Sequence, residues 1–506
     1  MISQASSNPH ILFYDVTVAQ FPSPSHPVTP ANSGTVAPRP APVRHWLENL
    51  FRCREVDRDP RLKIICATLL FYFFLTFFDW WHSSESLSTQ GNQTFNYAPA
   101  AIFQNLRWLI FMDVGQTKIY LYALGMLALL GLFSLFYLRS SLLAMGLLAF
   151  LWANKLFFYL CDIRLFHNFH HFHLFFTLVF LLSRDKLRFF RAALAVGYVM
   201  SAVVKISPSW LQGEYFNSLP DKLPLLPKIS WVVTATSIGV FVMEFFGPWA
   251  WFTTITWLRR LTFGLFILFH LYSGVLIAFW YTALMVPLVV AAFLRFNRPL
   301  QAGWRFHPRH LAPLGIIAFV ILSGLYHYCL PGDVRLTYEG RYFGFFMFDA
   351  NRQITFETEI QKGDKTWDVQ VFRPFLTGAA ENDEDGAAQI TGAYFEDGYL
   401  RTKSAVVRPI EDGGQVVFNP EFFAKLDNLK SGDPYLYYFF ARELMRRYHP
   451  DRVSLRLEVQ LNGHIESVRL LDIPDFGKLN PTYSSFKHND WITLPDATSP
   501  AAYRWP

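Results

Sequence analysis

Apolar residues fall along this chain in blocks long enough to cross a bilayer. A hydrocarbon core of about 30 Å needs about 20 apolar residues per helix. Candidate spans are 62–81, 119–138, 141–160, 171–183, 190–206, 230–252, 261–280, 281–295 and 312–330. The fourth, fifth and eighth are short, so the pattern predicts eight or nine transmembrane helices. After residue 330 the long apolar blocks give way to shorter patterns. ITFETEIQKGDKTWDVQVF reads as a strand pair, and VSLRLEVQL (453–461) alternates apolar and polar. Asn462-Gly463 is a hairpin signal before IESVRLLD. YLYYFFARELMRRYH (435–449) reads as an amphipathic helix with its basic residues late, where the helix dipole favours them. The predicted fold is an α-helical polytopic membrane domain over 61–330, followed by a small α+β domain over 331–506.

Composition agrees with this division. The chain is 52% hydrophobic and only 17% charged, against about 25% charged in soluble domains. The net charge of +6 could suggest nucleic acid. The basic residues, however, sit in short clusters between apolar blocks, as in cytoplasmic membrane loops. Such clusters occur at Arg52/Arg54/Arg58/Arg61/Lys63, Arg139, Arg184/Lys186/Arg188/Arg191, Arg259/Arg260 and Arg295/Arg298/Arg305/Arg309. With nine spans and a cytoplasmic N-terminus, every cluster falls inside, and 331–506 falls outside or in a lumen. Residues 1–60 are polar and Pro-rich and are expected to form a disordered cytoplasmic tail without a cleaved signal. The membrane is a bacterial cell membrane or a eukaryotic endoplasmic reticulum membrane. Asn92 opens a glycosylation sequon on the outer side, and ENDEDG (381–386) reads as a loop. Cys161 and Cys329 both fall near the outer surface, where a disulfide is an open question.

Polar residues inside a membrane are costly and are functional candidates by default. Here they are Asn154, Lys155, Lys205, Glu244 and His270, with the outer cluster HNFHHFH (167–173). The spacing of His167, His170 and His171 could ligate a metal. The other pair, His307/His310, falls on the opposite side, so no metal is expected. The cluster otherwise reads as an aromatic-rich interfacial turn. A mid-helix Glu244 must pair with a buried lysine such as Lys155 or line a wet cavity. His270 could equally bond a neighbouring helix. Lys205, in AVVKISPSWLQGEYF, could be an interfacial anchor, with Trp210 in the aromatic belt. Alternatively it is a base kept where water is scarce.

Several stretches together resemble one family. YVMSAVVKISPSWLQGEYF (198–216) resembles the Tyr-…-Lys-Leu-x-x-x-Trp-x-x-Gly motif of the vitamin K-dependent γ-carboxylases and their relatives, the HTTM (horizontally transferred transmembrane) domain proteins. HHFHLFFTL, VMEFFGPW and FHLYSGVLIAF resemble that family's Asn-His-x-Tyr-Leu, Glu-Leu-x-x-Pro and Phe-His-x-x-Asn segments. GRYFGFFMFDA and LEVQLNGHIESVRLLD resemble two stretches of its outer domain. The resemblance runs in order from about residue 60 to about residue 480.

It implies a carbon–carbon lyase that uses reduced vitamin K or another quinol, with O2 and CO2 as co-substrates. Lys205 would deprotonate the quinol, and the resulting strong base would take a proton from glutamate Cγ before CO2 adds. His171, His270 and Glu244 match the family's other polar positions, and Tyr198, Trp210 and Ser273 would bind the quinol. A secreted Glu-containing protein or peptide would engage the outer domain. The chain departs from the pattern at Ser273 (the family's Asn), His170 (Asn), Val204 (Lys) and His464 (Arg). These departures leave a second reading, a non-catalytic membrane protein acting in maturation or export of a secreted peptide.

Overall fold

The computed structural model describes residues 42–82, 114–161, 168–218, 227, 229–276, 279–293, 307–341, 350–373, 394–396, 399–401, 405–409, 433–462 and 466–495. The N-terminal tail, the Asn92 sequon, His167, the 381–386 loop, Gly463-His464 and most of GRYFGFFMFDA lie outside these residues.

Each predicted apolar segment contains one helix. They are α1 (Pro60–His82), α2 (Val114–Phe136), α3 (Ser141–Cys161), α4 (Asn168–Leu182), α5 (Lys186–Val203), α6 (Ser230–Ala250), α7 (Thr256–Leu276), α8 (Phe279–Phe293) and α9 (Leu311–Leu325). Among the described residues five are long and apolar enough to cross a membrane: α1, α2, α3, α6, and α9 extended by its last turn to Cys329. The helix α6 shows how such a segment is built. Val233, Ser237, Glu244 and Pro248 are buried along one stripe, while Trp231, Ile238, Val242, Phe246 and Trp249 are exposed. An apolar exposed face suits lipid, and the inward stripe carries the helix's one carboxylate. No disulfide joins Cys161 to Cys329: the first thiol is buried and the second exposed.

The remainder forms an antiparallel sheet with its own core. The strands β1 (Arg352–Lys362) and β2 (Lys365–Arg373) form a hairpin whose turn places Gly363 at φ 59°. β3 (Tyr394–Glu396), β4 (Tyr399–Arg401) and β5 (Ala405–Pro409) extend the β2 side. The short β6 (Arg452–Val453) pairs with β1, and β7 (Leu455–Leu461) and β8 (Val468–Ile473) continue its other side. Period-two burial decides which face packs: Ile354, Phe356 and Ile360 of β1 and Leu455, Leu457 and Val459 of β7 are buried. The helix α10 (Pro434–Tyr448) packs on that core, with Tyr437 4.3 Å from Phe356 between ring centroids.

Asp433 caps α10 by accepting a bond from the Tyr435 amide at 3.0 Å, with Pro434 in the first turn. Burial pushes its carboxyl from the ordinary 3.8 up to about 7, although the Tyr435 amide, Arg341 and Arg352 favour the ionised form. The folded chain therefore keeps a proton that the unfolded chain releases. Stability from this group is full below about pH 4 and is lost as pH rises to about 7. Asp433→Asn retains a capping oxygen and should flatten that loss. Melting temperatures of both proteins from pH 4 to 8 check it; an unchanged slope in the variant would contradict the assignment.

Candidate functional site

Lys205 does not end a helix; it sits in the turn that follows one. α5 stops at Val203, and the Lys205 amide donates back to the Ala202 carbonyl at 2.9 Å. Ser207-Pro208 explains the break, because a residue before proline is pushed to extended backbone. Ser207 has φ −148° and ψ 147°, and its hydroxyl accepts from the Trp210 amide at 3.2 Å, capping the one-turn helix Pro208–Leu211. Gly213 follows at φ 78°, a left-handed conformation that favours glycine.

The turn directs Lys205 inward. The side chain is only 3% exposed, which excludes the snorkelling anchor. Its Nζ lies 2.5 Å from Glu244 Oε2, and Glu244 is 1% exposed. The Trp210 ring covers the ammonium at 5.6 Å. Glu244 thus pairs with Lys205 and not with Lys155. Removing two charges from water costs several kcal/mol per ion, so such a pair persists only with close geometry and a sheltering wall. The carboxylate and Trp210 supply both.

A second polar contact adjoins the pair. Tyr198, on α5, hydrogen-bonds His270 Nε2 on α7, and both side chains are fully buried. The His270 ring packs 5.3 Å from Tyr281 of α8. Tyr198 and Tyr281 both lie within electrostatic reach of Glu244. The predicted residues Lys205, Glu244, Trp210, Tyr198 and His270 are therefore brought together from α5 to α7. His270 Nδ1 and Trp210 Nε1 are buried without hydrogen-bond partners among the described residues.

The other predicted residues behave differently. Ser273 is buried, but its hydroxyl donates to the His270 carbonyl of its own helix at 3.0 Å. His171 is buried on α4, stacked 6.5 Å from Tyr159 of α3. Asn154 donates to the Phe150 carbonyl at 2.9 Å and accepts from the Tyr120 hydroxyl, which binds α3 to α2. No group of three potential metal ligands occurs among the described residues.

Lys155 forms a separate site that the histidine spacing did not reveal. Its Nζ reaches Thr76 Oγ1 at 3.0 Å and His173 Nδ1 at 2.9 Å, and all three residues are fully buried. His173 Nε2 lies 3.0 Å from the Leu69 carbonyl. That oxygen can only accept, so Nε2 carries the proton and Nδ1 accepts from the lysine. The histidine that matters here is thus His173, two residues after the His167, His170 and His171 set weighed for metal. A signal was present in sequence only as a buried Lys and His on separate segments.

Neither a protein-family model, nor a curated protein, nor a solved structure matches the chain.

Two stability outcomes follow from that geometry. Removing one member of a buried ion pair strands the other, at a cost of about 3–5 kcal/mol. Lys205→Met and Glu244→Leu should each lower the melting temperature sharply, and the double variant should recover much of the loss. Additive losses would show that the pair is not a unit. Gly213→Ala should cost roughly 1–2 kcal/mol, since its Cβ would also stand 3.1 Å from Val233 Cγ1. Thermal unfolding of that variant, with no loss seen, would refute the strained turn.

Proposed function

We propose that this chain is a multipass membrane enzyme of the vitamin K-dependent γ-carboxylase type, in which Lys205 and Glu244 together deprotonate a reduced quinone. The observation that carries this reading is the Lys205–Glu244 contact of 2.5 Å, sealed from solvent under Trp210. The family resemblance of the surrounding motif supports it.

The pair can hold its shared proton in two ways. As an ion pair, Lys205 is an ammonium and cannot act as a base. Transfer of one proton to Glu244 leaves a neutral amine beside a neutral acid, and a low-dielectric site narrows the gap between these forms. The amine then accepts a hydroxyl proton as a general base. Glu244, still a neutral acid, accepts a hydrogen bond from the ammonium that results, and the quinol anion carries the balancing charge. Trp210 Nε1 and His270 Nδ1, buried without partners among the described residues, fit a ligand that carries oxygen donors and acceptors. They would hold a quinol headgroup, while Tyr198 fixes the His270 ring. Reduced vitamin K or a related quinol, with O2 and CO2, would supply the oxidative step that makes a base strong enough for a glutamyl Cγ proton. Exclusion of water by the surrounding rings protects such a base.

The charge pattern supports eight or nine spans with the N-terminus cytoplasmic. The sheet domain then stands outside or in the lumen, on the side where a secreted Glu-containing protein or peptide would reach it.

Purified full-length protein should consume vitamin K hydroquinone and form the epoxide, and Lys205→Ala should slow this by at least about a hundredfold. Glu244→Gln should keep a hydrogen bond but displace the pH–rate profile. Wild type and Lys205→Ala behaving alike, both folded, would sink the reading and favour a non-catalytic protein of peptide maturation or export.

A further inference from the structure

The turn that carries Lys205 is gripped by a guanidinium from the connection to the sheet domain. Arg335 lies in the one-turn helix Val334–Thr337 and is 5% exposed. Its Nε lies 3.0 Å from both carboxylate oxygens of Asp333, and its Nη2 lies 2.5 Å from one of them. Its Nη1 donates to Ser207 Oγ at 3.2 Å and also to Ser209 Oγ. Ser207 is the same hydroxyl that caps the Trp210 amide. On its other side, the Arg335 carbonyl accepts from Arg352 Nε at 2.8 Å, and Arg352 opens β1. One unbroken chain of contacts thus runs from the sheet through Arg352 and Arg335 to Ser207, Ser209, Trp210 and Lys205.

We infer that Arg335 is a positioning residue for Lys205, and that it couples the sheet domain to the base. The inference rests on the proposed function for its catalytic consequence, while the geometry of the grip stands without it. A helix cap needs one acceptor, and Ser207 provides that alone. A buried Arg–Asp pair aimed at that hydroxyl and at Ser209 as well exceeds what capping requires. Its fork spans Asp333 and both serines at once, which the single ammonium of a lysine cannot do. Loss of the fork frees the Ser207–Gly213 turn, and with it the indole that covers Lys205.

Hydrogen exchange of the full-length protein, read by mass spectrometry, tests the grip. In Arg335→Lys the amides of Trp210 to Gly213 should exchange on the order of tenfold faster, with α6 unchanged. Ser209→Ala, which deletes one acceptor and leaves the Ser207 cap, should show the same change more weakly and serves if the arginine variant is unstable. Unchanged exchange in both overturns the inference. With vitamin K hydroquinone as substrate, kcat should fall on the order of tenfold in Arg335→Lys while KM holds. Faster exchange with kcat unchanged would overturn the positioning role. A wild-type protein without turnover would refute the proposed function, and the exchange result would still decide the grip.

Discussion

The buried contact between Lys205 and Glu244 is the constraint around which the helical domain is organised. Neither charge tolerates isolation from water, so α6 must present its inward stripe to the turn after α5. That requirement fixes the facing sides of the two helices. It also explains why the turn is so elaborate for so short a stretch. Ser207-Pro208 halts the chain, Gly213 adopts a left-handed backbone, and Trp210 closes over the amine. Each feature keeps an ammonium 2.5 Å from its carboxylate and away from solvent.

The same contact gives the site its chemical character. An isolated buried lysine would simply be neutral or absent, and an exposed one would be an ordinary cation. A lysine sharing a proton with a carboxylate can change form without net charge leaving the interior. Beside it, Tyr198 and His270 form a second polar link, and Trp210 Nε1 and His270 Nδ1 are buried without hydrogen-bond partners among the described residues. The Lys155–Thr76–His173 network stands in contrast, because among the described residues its hydrogen bonds are mutual or to backbone. It reads as the polar anchor that holds α3 and α4 to α1.

Local features were the legible part of the sequence. Nine apolar blocks correspond to nine described helices, and alternation located β1, β2, β7 and β8 to within a few residues. The amphipathic helix at 435–449 appears as α10. These patterns depend on neighbours along the chain, which periodicity records. The site depends on residues far apart: Glu244 lies 39 positions from Lys205, and Arg335 lies 126 from Ser209. Such pairs leave no periodic trace. The residues Lys205, Glu244, Trp210, Tyr198 and His270 were each visible as unusual, yet the pairing of Glu244 was open between Lys155 and a wet cavity. Asp333, Arg335 and the two serines were not singled out, because short polar runs between helices look like loop. The apolar run over 190–206 carries Lys205 inside a predicted span, whereas the helix ends at Val203; Pro208 is the sign in sequence that it ends early.

Where the shared proton resides, and whether a quinol moves it, can be read directly from the carboxyl group. An infrared difference spectrum of the full-length protein, recorded on anaerobic addition of reduced vitamin K, should show a change in a buried carboxyl band. The account predicts that this change disappears in both Glu244→Gln and Lys205→Met. The same spectrum from wild type and both variants would contradict it.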